Sequence, residues 1–236
     1  MERAFVISDI HGCYEQFAEL LENWDKSMKL FILGDLIDRG EESKRVVQKV
    51  MELKVDYHDQ VTVLKGNHED MFLNFLHDPE KMGALYFFNG GGATVKDMIN
   101  EPFILHRTPT ELAQLIKERA GDEVEFIRQL PLYEEFGNVL FVHAGIDPKM
   151  KDWRNSTEEC FLWTRDMIKH PNQTGKTIIY GHTPTQMIHS DKSSGIWVSD
   201  DQSYINIDGG CAYGGQLNAI VVNENGEIEQ TYQTVR

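Results

Sequence analysis

VTVLKGNHED, residues 61–70, opens as a buried strand and closes on a cluster that a strand has no use for. Val61 to Leu64 are all β-branched or apolar, then Lys65 and Gly66 give way to Asn67, His68, Glu69 and Asp70. The same device recurs along the chain. Ala4 to Ile7 run into SDIHG, which carries Asp9 and His11, and Lys29 to Leu33 run into GDLIDRG, which carries Asp35, Asp38 and Arg39. VLFVHAG ends in His143 and TIIYGHT in His182. Five predicted strands thus each finish in a metal-ligand or acid–base side chain, usually beside glycine.

Between the first strands lie helical patterns. CYEQFAELLENW (13–24) sets Tyr14, Phe17, Leu20, Leu21 and Trp24 on one face, and ESKRVVQKVMEL and HEDMFLNFLH read the same way. Strand and helix in alternation predict βαβ units with a parallel sheet, whose carboxyl edge gathers distant loops into one site. Glycine beside each candidate ligand lets the backbone turn sharply and the loops crowd together.

The middle of the chain, about 77–130, reads as a helical insertion in a single domain spanning 1–236. FFNGGGATV is expected to be a flexible glycine loop, because no strand precedes Gly90 to Gly92 and no GK[ST] follows. TPTE offers Thr108 as N-cap, Pro109 at the first helical position and Glu111 to complete a capping box. The last third holds short β-prone runs: Val139–Val142, Thr177–Tyr180, Ile196–Ser199, Tyr204–Ile207 and Leu217–Val222.

A formal net charge of −15 argues against nucleic acid or an acidic membrane as partner, since polyanions are repelled at long range. It leaves room for an anionic substrate at a local positive site. Cys13, Cys160 and Cys211 are odd in number and far apart, so they read as small buried hydrophobes. Nothing at the start reads as a signal peptide, and no window approaches the ~20 apolar residues of a membrane span. A cytoplasmic setting is the expectation. His58, His77, His106, His170 and His189 lie in polar or irregular surroundings and read as solvated or capping groups.

Asp9, His11, Asp35, Asn67, His143 and His182 make an oxygen- and nitrogen-rich set without sulfur, suited to Mn²⁺, Fe or Zn²⁺. Six ligands are too many for one zinc site and natural for two metals bridged by a carboxylate. Two divalent ions against two carboxylates and one hydroxide leave a net positive pocket that would draw phosphate in.

SDIHG, GDLIDRG, GNHE, HAG and GHT together resemble the phosphoprotein phosphatase branch of the calcineurin-like binuclear metallophosphoesterases, over about residues 5–185. DIHGCY, NGGG, WTR (163–165) and NIDGGCAYGG (206–215) are similar to segments of the compact bacterial and phage-type serine/threonine phosphatases. The resemblance implies an α/β fold of two mixed β-sheets packed as a sandwich with flanking helices. It implies Asp9 and His11 on a first metal, Asp35 bridging, and Asn67, His143 and His182 on a second. His68 would be the general acid, oriented by Asp38, with Arg39 and Arg165 as phosphoryl clamps.

Two departures stand out. Ser8 replaces a frequent glycine, with little effect expected, and Lys65 replaces a frequent arginine, losing a bidentate fork. The implied leading function is a phosphomonoesterase acting on phosphoserine and phosphothreonine, and on small aryl phosphates, by in-line attack of a hydroxide shared by two metals. The alternative is a dinucleoside polyphosphate hydrolase, such as one cleaving diadenosine tetraphosphate. Asp38 and Glu69 favour the first. A catalytically inactive metal-binding scaffold would have lost the acid or the clamps, and His68, Asp38 and Arg39 are all present. Tyr86, Phe87, Phe88 and Trp153 are candidates for stacking on adenine, with core packing as the commoner use of such residues.

Overall fold

The strand β1 (Arg3–Ile7) is apolar from Ala4 onward because both of its faces are covered there. Phe5 and Ile7 enter a helix-covered core, while Ala4 and Val6 point the other way into a second core. In the computed structural model, which describes residues 1–236, that second core lies between two sheets.

The first sheet joins β1 in parallel to β2 (Lys29–Ile32), and β2 in parallel to β3 (Val61–Val63). On the other flank β9 (Gln216–Asn223) runs antiparallel to β1 and to β10 (Ile228–Val235), giving the order β10-β9-β1-β2-β3. The second sheet is built on β5 (Val139–Val142), β6 (Thr177–Tyr180) and β8 (Tyr204–Asn206), all parallel. Antiparallel β4 (Tyr133–Phe136) and β7 (Trp197–Val198) close its edges, in the order β4-β5-β6-β8-β7. The fold is therefore α/β with two mixed five-stranded sheets and flanking helices. Phe31 and Phe141 stack across the interface with ring centroids 4.3 Å apart.

Helices α1 (Tyr14–Leu21), α2 (Ser43–Tyr57) and α3 (Asn67–His77) cover the outer face of the first sheet, as the apolar spacing predicts. Four more helices follow: α4 (Pro79–Phe88), α5 (Gly91–Ile99), α6 (Pro109–Arg119) and α7 (Gly121–Arg128). They share the same core through Tyr86, Val95, Met98, Leu112, Ile116 and Ile127. The Thr108–Glu111 capping box is present, with Thr108 N–H donating to Glu111 Oε2 at 2.7 Å. The short α8 (Glu158–Trp163) covers the far side of the second sheet through Phe161.

Three expectations need correction. Gly90 to Gly92 do not form a flexible loop: Gly90 caps α5 in the left-handed region at φ 100°, and Gly91 and Gly92 are its first residues. Gly91 is there because any side chain would strike the Tyr86 ring, so a helix N-terminus can press against that ring only through glycine. The strands β4 and β10 went unread, since YEEF and IEQTYQTV are charged or polar at most positions. The shared carboxyl edge, finally, belongs to two sheets rather than to one parallel sheet. No helix is long and apolar enough to cross a membrane. The three thiols are free, Cys13 and Cys211 buried and Cys160 half-buried.

Candidate metal centre

Loops leaving the carboxyl ends of β1, β2 and β3 meet those leaving β5 and β6 where the two sheets face each other. Backbone bonds tie the loops together: His11 N–H donates to Asp35 O at 2.8 Å, Gly12 N–H to Leu36 O at 2.8 Å, and Gly181 N–H to His143 O at 2.8 Å. Ten non-glycine residues have positive φ, and Asp9, His11, Asp35, Asp38, Arg39 and His182 are six of them. Strained backbone concentrated at one place marks a site whose geometry outweighs local preference. The sequence places the tight turns on glycine; the candidate ligands themselves share that burden.

Asp35 is the centre of the arrangement. Its Oδ2 lies 3.3 Å from His11 Nε2 and its Oδ1 lies 3.4 Å from His143 Nε2. Two clusters of buried donors result, His11–Asp35–His68 and Asp35–His143–His182, joined through that one carboxylate. Asn67 Oδ1 adds to the second, 3.0 Å from His143 Nε2 and 2.8 Å from His182 Nδ1.

The tautomers leave these clusters able to hold cations. His11 Nδ1 lies 2.8 Å from Ile37 O and His143 Nδ1 lies 2.8 Å from Leu33 O. A carbonyl only accepts, so each Nδ1 carries the hydrogen and each neutral ring presents a lone pair at Nε2. Those lone pairs then face the oxygens of Asp35, acceptor against acceptor. Such contacts hold only with a proton or a cation between them. Without metal, burial acts to lower the His11 pKa, yet the Asp35 charge and hydrogen bond outweigh it and raise it to about 9. Burial also acts to raise Asp35, but the charges of His143, His68 and His11 hold it well below the usual carboxylate range. Buried His182 Nε2 has no partner, and burial followed by the His143 charge pushes that imidazole down to about 2. Hard oxygen and imidazole donors with fixed tautomers fit two divalent ions.

The remaining expected residues lie around this core. Asp9 stands apart from both clusters: its two carboxylate oxygens accept the His182 N–H at 3.0 and 3.1 Å, and Ser8 Oγ donates to Oδ2. Ser8 is thus not without effect, because its hydroxyl holds Asp9. His68 lies inside the first cluster and also places Nδ1 2.7 Å from Asp38 Oδ2. Burial, outweighing the charges of Asp35 and Asp38, lowers the His68 pKa. Arg39 directs Nη1 at His11 Nε2. Arg165 donates from Nη1 to Thr183 Oγ1 at 3.0 Å and to His182 O at 3.3 Å. Lys65 pairs with Glu158 at 3.6 Å.

Several supporting residues escaped the sequence reading. Glu69 is fully buried and accepts three backbone N–H groups at 2.8 Å, from Asp35, Leu36 and Gly66, stapling the β2 and β3 loops together. Burial and then the Asp35 charge raise its pKa to about 7. Its signal was visible: an acid at the third position of a helix commonly turns back onto the cap. Asp38 Oδ1 accepts from Tyr86 Oη and Thr94 Oγ1, each at 2.7 Å, so helices α4 and α5 hold the partner of His68. Asp208, buried near Asp9, is pushed well above the usual carboxylate range by burial and then by the Asp9 charge.

Known proteins are similar to this chain over most of its length. Residues 3–207 match a family profile described as calcineurin-like phosphoesterase. The asymmetrical bis(5'-nucleosyl)-tetraphosphatase PrpE of Bacillus mycoides is 27% identical over 244 aligned positions, covering 91% of this chain and 88% of that one. The symmetrical bis(5'-nucleosyl)-tetraphosphatase of Buchnera aphidicola is 32% identical over 172 positions, covering 71% of this chain and 53% of that protein. A solved protein serine/threonine phosphatase from Saccharomyces cerevisiae aligns with a TM-score of 0.66 at 16% identity, covering 100% of this chain and 81% of that one. At such identity the likeness is one of fold.

Proposed function

The chain belongs to the calcineurin-like phosphoesterase family, a metal-dependent hydrolase family, and on that premise we propose that it cleaves dinucleoside polyphosphates such as diadenosine tetraphosphate. One observation carries the choice of substrate: similarity to an asymmetrical tetraphosphatase extends over 91% of this chain and 88% of that relative. This reverses the order suggested by Asp38 and Glu69. Those two residues have structural duties, orienting His68 and stapling two loops, that serve either substrate.

In this proposal Asp9, His11 and Asp35 would hold one divalent cation, and Asn67, His143, His182 and Asp35 the other. Mn²⁺ suits the donor set, with Fe or Zn²⁺ as alternatives. Two such ions, when bound, would lower the pKa of a water and so supply the nucleophile. The protein's own groups do the rest. Arg39 and Arg165 meet the charge that grows on the phosphoryl oxygens, and their fixed positions avoid reorganisation during reaction. Asp38 holds the His68 ring so that its free nitrogen faces the leaving oxygen and can deliver a proton there. A nucleotide phosphate leaves as a stable anion and needs little of that help, whereas a serine alkoxide needs all of it.

The second reading, a phosphoserine and phosphothreonine phosphatase, is favoured by the elaborated His68–Asp38 pair, which Tyr86 and Thr94 keep in place. Side-by-side assay with Mn²⁺ decides between them. A kcat/KM for diadenosine tetraphosphate at least tenfold above that for a phosphoserine peptide is the expected result; a tenfold preference for the peptide would overturn it.

A further inference from the structure

Of the aromatic residues that the sequence offers for stacking on adenine, Tyr86 and Trp153 are buried in separate cores, Phe87 packs against Phe75, and Phe88 is exposed at the end of α4 with no ring or cation beside it. Two others, unremarked in that role, stand at the metal centre itself. Tyr213 is 64% exposed and the Arg39 guanidinium lies 4.8 Å from its ring centroid. Trp163 is 39% exposed and meets the His182 ring edge-on, with centroids 6.1 Å apart. Asp35 separates the two, since Oδ2 faces His11 and Arg39 on the Tyr213 side while Oδ1 faces His143 beside His182 on the Trp163 side.

We propose that Trp163 and Tyr213 are the platforms on which the nucleobases of a dinucleoside polyphosphate stack, one at each end of the metal centre. This rests on the substrate reading above and adds the residues that recognise the nucleoside. Both rings are carried on short turns of regular backbone. Tyr213 ends a single 3₁₀ turn, Cys211–Tyr213, held between Gly210 at φ 67° and Gly214 at φ 82°. Trp163 ends α8, whose neighbours Phe161 and Leu162 are buried. A large exposed ring costs apolar hydration unless something covers it, and a purine is flat, apolar on its faces and tethered to the phosphates that the centre binds. Base stacking of this kind is sequence-tolerant and changes affinity by roughly 5- to 150-fold. A phosphoserine peptide supplies no such group.

The test compares ADP with inorganic diphosphate, because the two differ by the nucleoside. Dissociation constants are measured calorimetrically on the Mn²⁺-loaded protein and its Trp163→Ala, Tyr213→Ala, Trp163→Phe and Tyr213→Phe variants, with bound metal counted in each. Trp163→Ala is expected to weaken ADP about tenfold or more and diphosphate less than twofold. Both alanine variants are expected to raise KM for diadenosine tetraphosphate, with the phenylalanine variants near wild type. ADP and diphosphate weakened alike, or neither weakened, would overturn the proposal even if the dinucleotide is hydrolysed. Selective loss of ADP in a protein that prefers phosphopeptide would instead keep the platforms and overturn the substrate reading.

Discussion

His68 belongs by position to the metal cluster of His11 and Asp35 and by its hydrogen bond to Asp38. The two duties separate experimentally. If His68 delivers a proton, His68→Asn keeps two bound metals while kcat on a phosphoserine peptide falls by about 100-fold or more, with a smaller loss on diadenosine tetraphosphate. Metal counting by atomic emission checks it, and loss of one ion in proportion to activity would make His68 a ligand. Glu69 poses the opposite case, a charged residue without chemistry of its own. Glutamine there turns an amide toward N–H donors that need an acceptor, so Glu69→Gln is expected to cost about 2–4 kcal/mol, read by thermal unfolding. An unchanged Tm would mean that the three backbone bonds contribute nothing. Glu69 could be seen in the sequence as a helix-start acid, but its donors on Asp35 and Leu36 could not, because they are more than thirty residues away.

Elements followed the sequence wherever burial alone dictated them. β1, β2, β3 and β5 are apolar runs because both faces are covered, and the amphipathic spacing of α1 to α3 reflects a single buried face. β10 escaped because one face is solvated and its partner β9 supplies the apolar contacts, leaving IEQTYQTV without a signal. The turns between elements obey close approach more than sequence preference. Gly34 has φ 91°, and a Cβ there would lie 2.7 Å from Gly66 Cα, where the β2 and β3 loops cross. Gly175 has φ 70° with nothing within 4 Å, so it isolates the backbone cost. Gly34→Ala is expected to lose about 2–4 kcal/mol, a Tm drop of roughly 5–15 °C, against about 1 kcal/mol for Gly175→Ala. Equal drops would refute the crowding of the loops.

At the scale of the whole molecule, two sheets packed across an apolar interface are joined at one end by a polar centre. Cations held there would bridge loops from both sheets, so their removal would loosen the joint as well as stop the chemistry. Chelation is expected to lower stability by about 3 kcal/mol per site relative to protein at a hundredfold excess of metal over Kd. Calorimetry with and without chelator reads it, and a Tm unmoved by metal would leave the two clusters without a structural cation.

The local chemistry was legible without coordinates: which strands are buried, where each ends, and that Asp9, His11, Asp35, Asn67, His143 and His182 are metal-type donors following strands. Such features depend on neighbours in the chain, which burial and spacing report directly. That Asp35 turns one oxygen to each histidine cluster, that α4 and α5 hold Asp38, and that Trp163 and Tyr213 rise beside the centre were decided only by packing. Those relations join residues from separate elements across two sheets, and no periodicity along the chain records a distance through space.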